Sequence, residues 1–311
     1  MNTDPPPDPT SRRLGRSDLE VGPLAYGCWR FSGTTVAVAR EKIEAAIDAG
    51  MTLIDTADIY GFGSNGANRL LPDGFGDAEA LLGRVLAAAP GLRDSMVLAT
   101  KGGIRPPVPY DQSGAYLTAA CEDSLRRLGV DHVDLYQVHR PDMLTHPADL
   151  AATLTSLVER GLTRAVGVSN FTAAHTQAVL AHLDVPLATT QPEFSALHLD
   201  PLTDGTLDLC TGAGVTPLAW SPLAGGRLVG DGDDPAARRV APVLDRLARR
   251  EGVNRTAVAL AWLLRHPAGV IPIVGTQRVD RIREAAAATT VELDRADWYE
   301  LLAAARGERL P

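Results

Sequence analysis

A repeated alternation of short apolar runs and longer segments of helical periodicity spans most of this sequence. The runs are rich in β-branched residues and are too short for helices, which is typical of buried parallel strands joined by crossover helices. Eight strands connected in this way predict a closed α/β barrel, the (β/α)8 TIM barrel, with an open doubly wound sheet as the competing fold. The eight runs are residues 24–28, 52–54, 97–100, 133–138, 165–168, 187–190, 216–220 and 270–274. The helical segments between them are residues 36–49, 78–88, 117–128, 150–159, 173–183, 207–212, 243–250 and 256–265.

The segments outside the barrel complete the predicted organisation. Residues 1–12 are rich in proline and lack an apolar core, so we expect a disordered leader rather than a secretory signal. Leu14, Leu19 and Val21 flank a polar turn and predict a small β-hairpin that covers the floor of the barrel. Residues 13–311 are then one barrel domain with extra helices at its C-terminal end.

Composition narrows the class of protein. The net charge of −8 argues against a general nucleic-acid binder, because such a protein needs a basic face that displaces counterions from phosphates. No apolar run approaches the roughly 20 residues of a membrane span. The cysteines Cys28, Cys121 and Cys210 lie far apart and predict buried free thiols rather than disulfides or a metal site. We expect a cytoplasmic protein, a monomer or a weak homo-oligomer, with no membrane or nucleic-acid partner.

Ionisable side chains follow three of the predicted strands. Asp55 and Tyr60 come directly after the second strand, Lys101 after the third and His139 after the fourth. The carboxyl ends of barrel strands meet at one face, so these side chains can converge. A phenol is a poor acid at neutral pH, and a nearby ammonium is expected to lower its pKa, with Asp55 holding that ammonium in place.

Basic residue usage singles out Lys101 further. Of the 30 basic residues only Lys42 and Lys101 are lysines, and the rest are arginines. We expect Lys42 to lie on a solvent-exposed helix. Lys101 instead ends a strand, where a compact ammonium serves better than a forked guanidinium.

A literal GxGxxG begins at Gly61 and invites comparison with dinucleotide-binding fingerprints. A true fingerprint opens a helix at its third glycine, whereas here Pro72, Asp73 and Gly74 predict a turn. We interpret residues 61–76 as a flexible loop at the mouth of the site that shapes substrate choice. His139 has no second residue at metal-ligand spacing, so we predict no metal site.

In order, spacing and strand context, Asp55, Tyr60, Lys101 and His139 resemble the catalytic tetrad of the aldo-keto reductases. The resemblance covers about residues 13–305. Within the family, the sequence is similar to a bacterial-type, broadly acting subgroup, because it contains Gln-Pro-Glu-Phe-Ser from Gln191 and Ser-Pro-Leu-Ala-Gly-Gly from Ser221. It implies Tyr60 as the general acid and His139 as the residue that orients the carbonyl oxygen. A short-chain Rossmann dehydrogenase also uses Tyr and Lys, but four residues apart on one helix.

The same resemblance implies an NADPH site. Ser169, Asn170 and Gln191 would bind the carboxamide, the Trp220 ring would stack on the nicotinamide, and the backbone after it would contact the pyrophosphate. Arg278 and Arg281 would lie beside the 2′-phosphate, although other family members have Lys-Ser where Gly275-Thr276 stand. The implied cofactor-binding residues are Gly27, Trp29, Asp55, Ser169, Asn170, Gln191, Trp220, Ser221, Pro222, Leu223, Gly225, Val274, Gly275, Thr276, Gln277, Arg278, Arg281 and Glu284.

These features predict a reductase of small-molecule aldehydes or ketones. The alternative is a non-catalytic subunit that binds NADPH as a sensor on the same fold. The residues expected around the substrate are Trp29, Arg30, Phe31, Ile59, Tyr60, Phe75, His139 and Arg140.

Overall fold

The computed structural model describes residues 11–62, 74–230 and 233–309. Two predictions therefore fall largely outside the described residues: the leader, apart from Ser11 and Arg12, and the stretch 63–73 of the predicted loop. Within the described ranges, no helix is both long enough and apolar enough to cross a bilayer.

Eight parallel strands close into a barrel, which confirms the predicted (β/α)8 architecture and excludes the open doubly wound sheet. Neighbours in the barrel follow chain order, and the last strand pairs with both the first and the seventh. The barrel strands are β3 Ala25–Gly27, β4 Leu53–Asp55, β5 Val97–Gly102, β6 Val133–Val138, β7 Thr163–Ser169, β8 Leu187–Gln191, β9 Thr216–Ala219 and β10 Ile271–Val274.

A two-stranded antiparallel hairpin precedes the barrel, formed by β1 Arg12–Arg13 and β2 Glu20–Val21. It begins one residue inside the segment predicted as leader. Leu14, Leu19 and Val21 are buried against the inward-facing strand residues Ala25 and Leu53, and so belong to the core inside the barrel. The hairpin therefore closes the barrel floor, as the sequence predicts.

Helices cover the outside of the barrel and bury the second, larger apolar layer. They are α1 Val36–Asp48, α2 Asp77–Ala88, α3 Gly114–Leu128, α4 Pro147–Glu159, α5 Ala173–Leu180, α6 Thr206–Ala213, α7 Pro235–Glu251, α8 Arg255–Leu264, α9 Val279–Ala285 and α10 Arg295–Arg306.

The largest difference from the predicted helix bounds lies at α7, which begins at Pro235 rather than at Val243. Pro242, directly before the predicted start, sits inside the helix. Asp234 caps the true start by accepting backbone N–H groups of Ala236 and Ala237, and proline is well tolerated in the first turn that follows. Helix α7 packs on α10 and extends the core beyond the barrel.

Candidate active site

The barrel interior changes from apolar to polar along the strands. Side chains two residues apart on a strand share a face. Leu53 and Ala99 face inward in the core above the hairpin, so Asp55 and Lys101 occupy the next inward layer, toward the carboxyl end. Asp55 is 2% exposed and Lys101 is fully buried. The C-terminal face of the barrel is thus built around a buried ion pair.

Lys101 donates three hydrogen bonds from its ammonium. The acceptors are Asp55 Oδ2 at 2.7 Å, the carbonyl oxygen of Thr56 at 2.8 Å and Tyr60 Oη at 3.1 Å. All three N–H groups of the ammonium are therefore satisfied. Burial alone would lower the pKa of Lys101, but Asp55 and Tyr60 outweigh it and raise that pKa, so the ammonium stays charged.

The segment after β4 brings Tyr60 to this ammonium. Its backbone continues alongside β5. The N–H of Thr56 donates to the backbone carbonyl of Ala99, and the N–H of Asp58 donates to the backbone carbonyl of Lys101. A turn then closes through the N–H of Tyr60 and the carbonyl of Ala57. The five-residue spacing between Asp55 and Tyr60 thus lets both side chains reach one lysine.

The pKa of Tyr60 differs from the prediction. Withdrawal from water raises the pKa of the phenol, and the neighbouring Lys101 offsets this only in part. The predicted lowering is wrong, because burial outweighs the ammonium. At neutral pH Tyr60 therefore carries the proton that a general acid needs.

His139 lies beside Tyr60 at the end of β6. The two rings make an edge-to-face contact with 5.7 Å between centroids. Burial, with Lys101 and Arg140 nearby, lowers the pKa of His139 well below its usual value, so the imidazole is neutral at pH 7. A neutral imidazole can donate one N–H to a carbonyl oxygen without holding a proton that competes with Tyr60.

Gln137 is a site residue that the sequence analysis missed. It is fully buried, and its Nε2 donates to Asp55 Oδ1 at 3.1 Å while its Oε1 accepts from the Thr189 hydroxyl at 3.2 Å. The signal was an amide two residues after Leu135 on an inward face, the same alternation that relates Leu53 to Asp55. Gln137 fixes the carboxylate that holds Lys101.

The residues expected around the carboxamide meet at the ends of β7 and β8. Asn170 donates to the His139 carbonyl at 3.1 Å and to the Ser169 hydroxyl at 2.8 Å, and it accepts from Trp220 Nε1 at 3.0 Å. Gln191 instead donates to Asp55 Oδ1 at 3.1 Å. One hydrogen-bonded network therefore joins the expected nicotinamide residues to the expected catalytic residues.

Backbone strain concentrates at the same face. Asn170, Ser221 and Ala224 have φ values of 61°, 52° and 52°, in a region that residues other than glycine rarely adopt. Such strain is common where backbone shapes a binding site. In the loop after β9, Ser221 Oγ accepts the N–H of Gly225, while Pro222 is buried and Leu223 half-buried.

Two glycines in the expected cofactor segments face open space, and a third does not. A side chain at Gly225 or Gly275 would meet nothing within 4 Å, so the backbone there is open to a ligand. At Gly27 an added Cβ would lie 2.8 Å from Ile273, which gives that glycine a packing role between neighbouring strands. The open glycines fit a cofactor whose phosphates approach the backbone closely.

The segment after β10 carries one of the arginines expected at the 2′-phosphate. Val274 is buried and ends the strand, and Gly275, Thr276 and Gln277 form the loop. Arg278 is exposed and makes a forked ion pair with Asp280, through Nε at 3.1 Å and a shorter contact from Nη2. Because both side chains are exposed, this ion pair is weak, and the role of Arg278 at the 2′-phosphate stays a prediction.

The other charged residues of this segment lie on α9. Arg281 is exposed and has no carboxylate partner in the part of the chain that the structure describes. Glu284 accepts from Asn254 Nδ2 at 3.1 Å and so ties α9 to the start of α8. Of the two arginines expected at the 2′-phosphate, only Arg281 is unpaired among the described residues.

A cleft of about 570 Å³ opens over Tyr60. Six of the eight predicted substrate residues line it, and the described residues of the cleft are Trp29, Arg30, Ser32, Gly33, Ile59, Tyr60, Gly61, Phe62, Ile104, His139 and Arg140. Phe31 and Phe75 do not. Phe31 is fully buried in the layer between barrel and helices, and Phe75 packs beside Arg127, with 5.9 Å from guanidinium to ring.

The three cysteines are free and buried, as predicted. Among the described residues no group of three or more His, Cys, Asp or Glu side chains could hold a metal ion.

Comparison with known proteins identifies the family. The model of the Aldo/keto reductase family matches residues 23–306. The chain is 51% identical to a 6-dehydroglucose reductase of Novosphingobium aromaticivorans, over 99% of this chain and 100% of that protein. It is 40% identical to a 6-dehydroglucose reductase of Agrobacterium fabrum, over 96% of this chain and 99% of that protein.

A solved structure agrees with these matches. The crystal structure of a thermostable aldo-keto reductase in complex with the inhibitor epalrestat is similar with a TM-score of 0.78 and 27% identity, covering 94% of this chain and 99% of that one. This chain, an oxidoreductase, therefore belongs to the aldo/keto reductase family.

Proposed function

We propose that this protein reduces the aldehyde of a sugar-derived substrate such as 6-dehydroglucose to the primary alcohol, with NADPH as the reductant. The observation that carries the proposal is the set of hydrogen bonds among Asp55, Lys101 and Tyr60 at the base of the cleft. The 51% identity with a 6-dehydroglucose reductase, over 99% of this chain, supports the substrate.

The residues around Tyr60 are suited to protonate a carbonyl oxygen. When bound, NADPH supplies the hydride that adds to the carbonyl carbon. Tyr60 Oη donates its proton to the carbonyl oxygen, and the phenolate left behind is stabilised by Lys101 at 3.1 Å. Asp55 keeps the ammonium charged and close, and the neutral His139 donates a hydrogen bond that orients the same oxygen.

The cleft fits a polyhydroxylated aldehyde. Arg30, Ser32 and Arg140 offer hydrogen-bond donors to hydroxyl groups, while Ile59 and Ile104 offer apolar surface. Trp29 is 63% exposed, with the Arg30 guanidinium 4.9 Å from its ring centroid. An exposed aromatic face beside a cation suits the alternating C–H and O–H surface of a sugar better than it suits a plain hydrocarbon.

The cofactor side fits a nicotinamide dinucleotide. Asn170 and Ser169 present polar atoms at the ends of barrel strands, and Trp220 places an aromatic ring beside them. The open backbone at Gly225 and Gly275 can approach phosphates. No observation favours the alternative of a non-catalytic NADPH sensor, since Tyr60 is protonated at neutral pH and lies in the cleft.

A labelled-cofactor assay tests the proposed reaction. Purified protein is given NADPH carrying deuterium at the transferable position together with 6-dehydroglucose, and the product is analysed by mass spectrometry. We expect glucose with one deuterium on the carbon that carried the aldehyde, and faster turnover than with an alkyl aldehyde or a ketone of similar size. Turnover of all carbonyl compounds at equal rates would refute the proposed substrate, and the absence of deuterium transfer to any of them would refute the reaction.

A further inference from the structure

Lys42 is not the solvent-exposed helix residue that the sequence suggests. It lies on α1, is 7% exposed, and its ammonium donates to Gln277 Oε1 at 3.1 Å. Gln277 Nε2 in turn donates to Tyr26 Oη at 3.3 Å, and Tyr26 Oη donates to the carbonyl oxygen of Thr276 at 3.2 Å. The ammonium is thus tied to the loop between β10 and α9.

The charge of Lys42 has no counter-ion in the described chain. The hydrogen-bond partner of its ammonium is the neutral amide of Gln277. Burial lowers the pKa of Lys42, as expected for a desolvated cation without an anionic partner. A buried, unpaired charge costs free energy, and an anion bound beside it would recover that cost. Two of the three N–H groups of the ammonium remain for such an anion.

The neighbouring loop shows what kind of anion would fit. Gly275 faces open space, and of the two arginines expected at the 2′-phosphate Arg278 pairs with Asp280 while Arg281 is exposed. Gly275 also stands where the resemblance implies a lysine in some family members. The loop therefore lacks a lysine of its own, while α1 brings one to it from the side.

We propose that Lys42 contributes to the selection of NADPH over NADH, by presenting its ammonium to the 2′-phosphate held at the Gly275–Gln277 loop. The inference rests on the proposed cofactor. A 2′-phosphate adds about two negative charges that the 2′-hydroxyl of NADH lacks. An ammonium that is hydrogen-bonded to this loop should therefore strengthen the binding of NADPH and leave that of NADH unchanged.

Substitution tests this assignment through the ratio of two affinities. Lys42→Met removes the charge and keeps most of the side-chain length. We expect its dissociation constant for NADPH to rise about 10- to 100-fold, the worth of one charge-assisted hydrogen bond, with that for NADH unchanged. The matched control is Arg40→Met, which removes an exposed cation from the same helix, one paired with Glu44 at 2.7 Å. Its affinities should equal those of the wild type.

The melting temperature separates binding from a structural role. If Lys42 had only a structural role, Lys42→Met would lower the melting temperature and weaken the binding of both cofactors equally. If Lys42 is a buried charge without a counter-ion, Lys42→Met without cofactor should be at least as stable as the wild type. Equal losses for both cofactors, or no loss for NADPH, would overturn the assignment of Lys42. If the wild type binds neither dinucleotide, the proposed cofactor is wrong and this inference falls with it.

A measurement on the wild-type protein avoids any folding defect of the variant. Lysine labelled with ¹⁵N at the side-chain nitrogen gives signals from only two residues, Lys42 and Lys101. Adenosine 2′,5′-bisphosphate, which lacks the nicotinamide, should shift the Lys42 signal and leave that of Lys101 in place. Adenosine 5′-monophosphate should shift neither. An unchanged Lys42 signal under saturating bisphosphate would contradict the proposal.

Discussion

Replacing Lys101 tests how the buried ion pair supports the reaction. Lys101→Met leaves Asp55, 2% exposed, without its cation but with N–H donors from Gln137 and Gln191 at 3.1 Å. Breaking a buried pair in this way costs about 3–5 kcal/mol of stability, and the two amide donors place the loss near the lower end. The phenolate of Tyr60 also loses its stabilising charge, so we expect kcat to fall about 100- to 10,000-fold, or about 3–5 kcal/mol in the activation barrier.

Lys101→Arg keeps the charge but not the geometry. Three acceptors at 2.7–3.1 Å surround the fully buried ammonium, and a planar guanidinium paired bidentately with Asp55 would be drawn away from Tyr60. We therefore expect Lys101→Arg to lose most of kcat as well. A positive charge at this position is therefore not sufficient for turnover.

Kinetics and urea unfolding of both variants, with NADPH titration, measure these effects. The double variant Lys101→Met with Asp55→Asn serves as the control, because it removes both charges and should be more stable than Lys101→Met alone. An Arg variant with wild-type kcat and an unchanged pH profile would refute the geometric argument. A Lys101→Met variant as stable as the wild type would refute the expected cost of breaking the buried pair of Asp55 and Lys101.

Three further predictions concern pH, positioning and salt. His139 has a pKa well below its usual value in the folded state, so below about pH 6.5 the unfolded chain binds a proton that the folded protein does not, and stability should fall by about 1.4 kcal/mol per pH unit. In urea unfolding His139→Gln should flatten this dependence, whereas His132→Gln, at an exposed histidine, should not. Gln137→Leu removes one of the amide donors to Asp55 and should cost about 1–3 kcal/mol of stability and lower kcat, and a wild-type kcat would exclude its positioning role. NADPH should bind more tightly than NADH in fluorescence titrations, with a gap that narrows as salt screens the 2′-phosphate, and equal affinities at low salt would contradict this.

The sequence predicted the barrel because its strands and helices follow different periodicities. Strand runs of three to six residues and helices with apolar faces could be placed without knowledge of their contacts. The position of Asp55 and Lys101 at the same face of the barrel could be predicted from topology alone, because the carboxyl ends of all barrel strands lie at that face. Helix α7 was predicted from Val243, whereas it begins at Pro235 and continues through Pro242. A proline inside a helix is locally unfavourable, so this part of α7 depends on packing such as that on α10.

The remaining site features depend on contacts between distant segments. Lys42 and Gln277 are separated by 235 positions, and nothing local to α1 indicates that its lysine turns toward the barrel. Phe31 was expected around the substrate, yet packing in the layer between barrel and helices buries it. The pairing of Arg278 with Asp280 is local, but whether an exposed arginine chooses a carboxylate or a ligand is decided by side-chain conformation. Gln137, in contrast, could have been found by applying strand alternation to β6.

The most direct test of Tyr60 as the proton donor is the Tyr60→Phe variant, assayed for both cofactor binding and turnover. The substitution removes only the phenolic oxygen that accepts from Lys101 and faces the cleft. We expect the dissociation constant for NADPH to stay nearly unchanged while the rate of NADPH consumption with 6-dehydroglucose falls about 100- to 10,000-fold. A Phe variant that reduces the aldehyde at close to the wild-type rate would show that Tyr60 is not the proton donor.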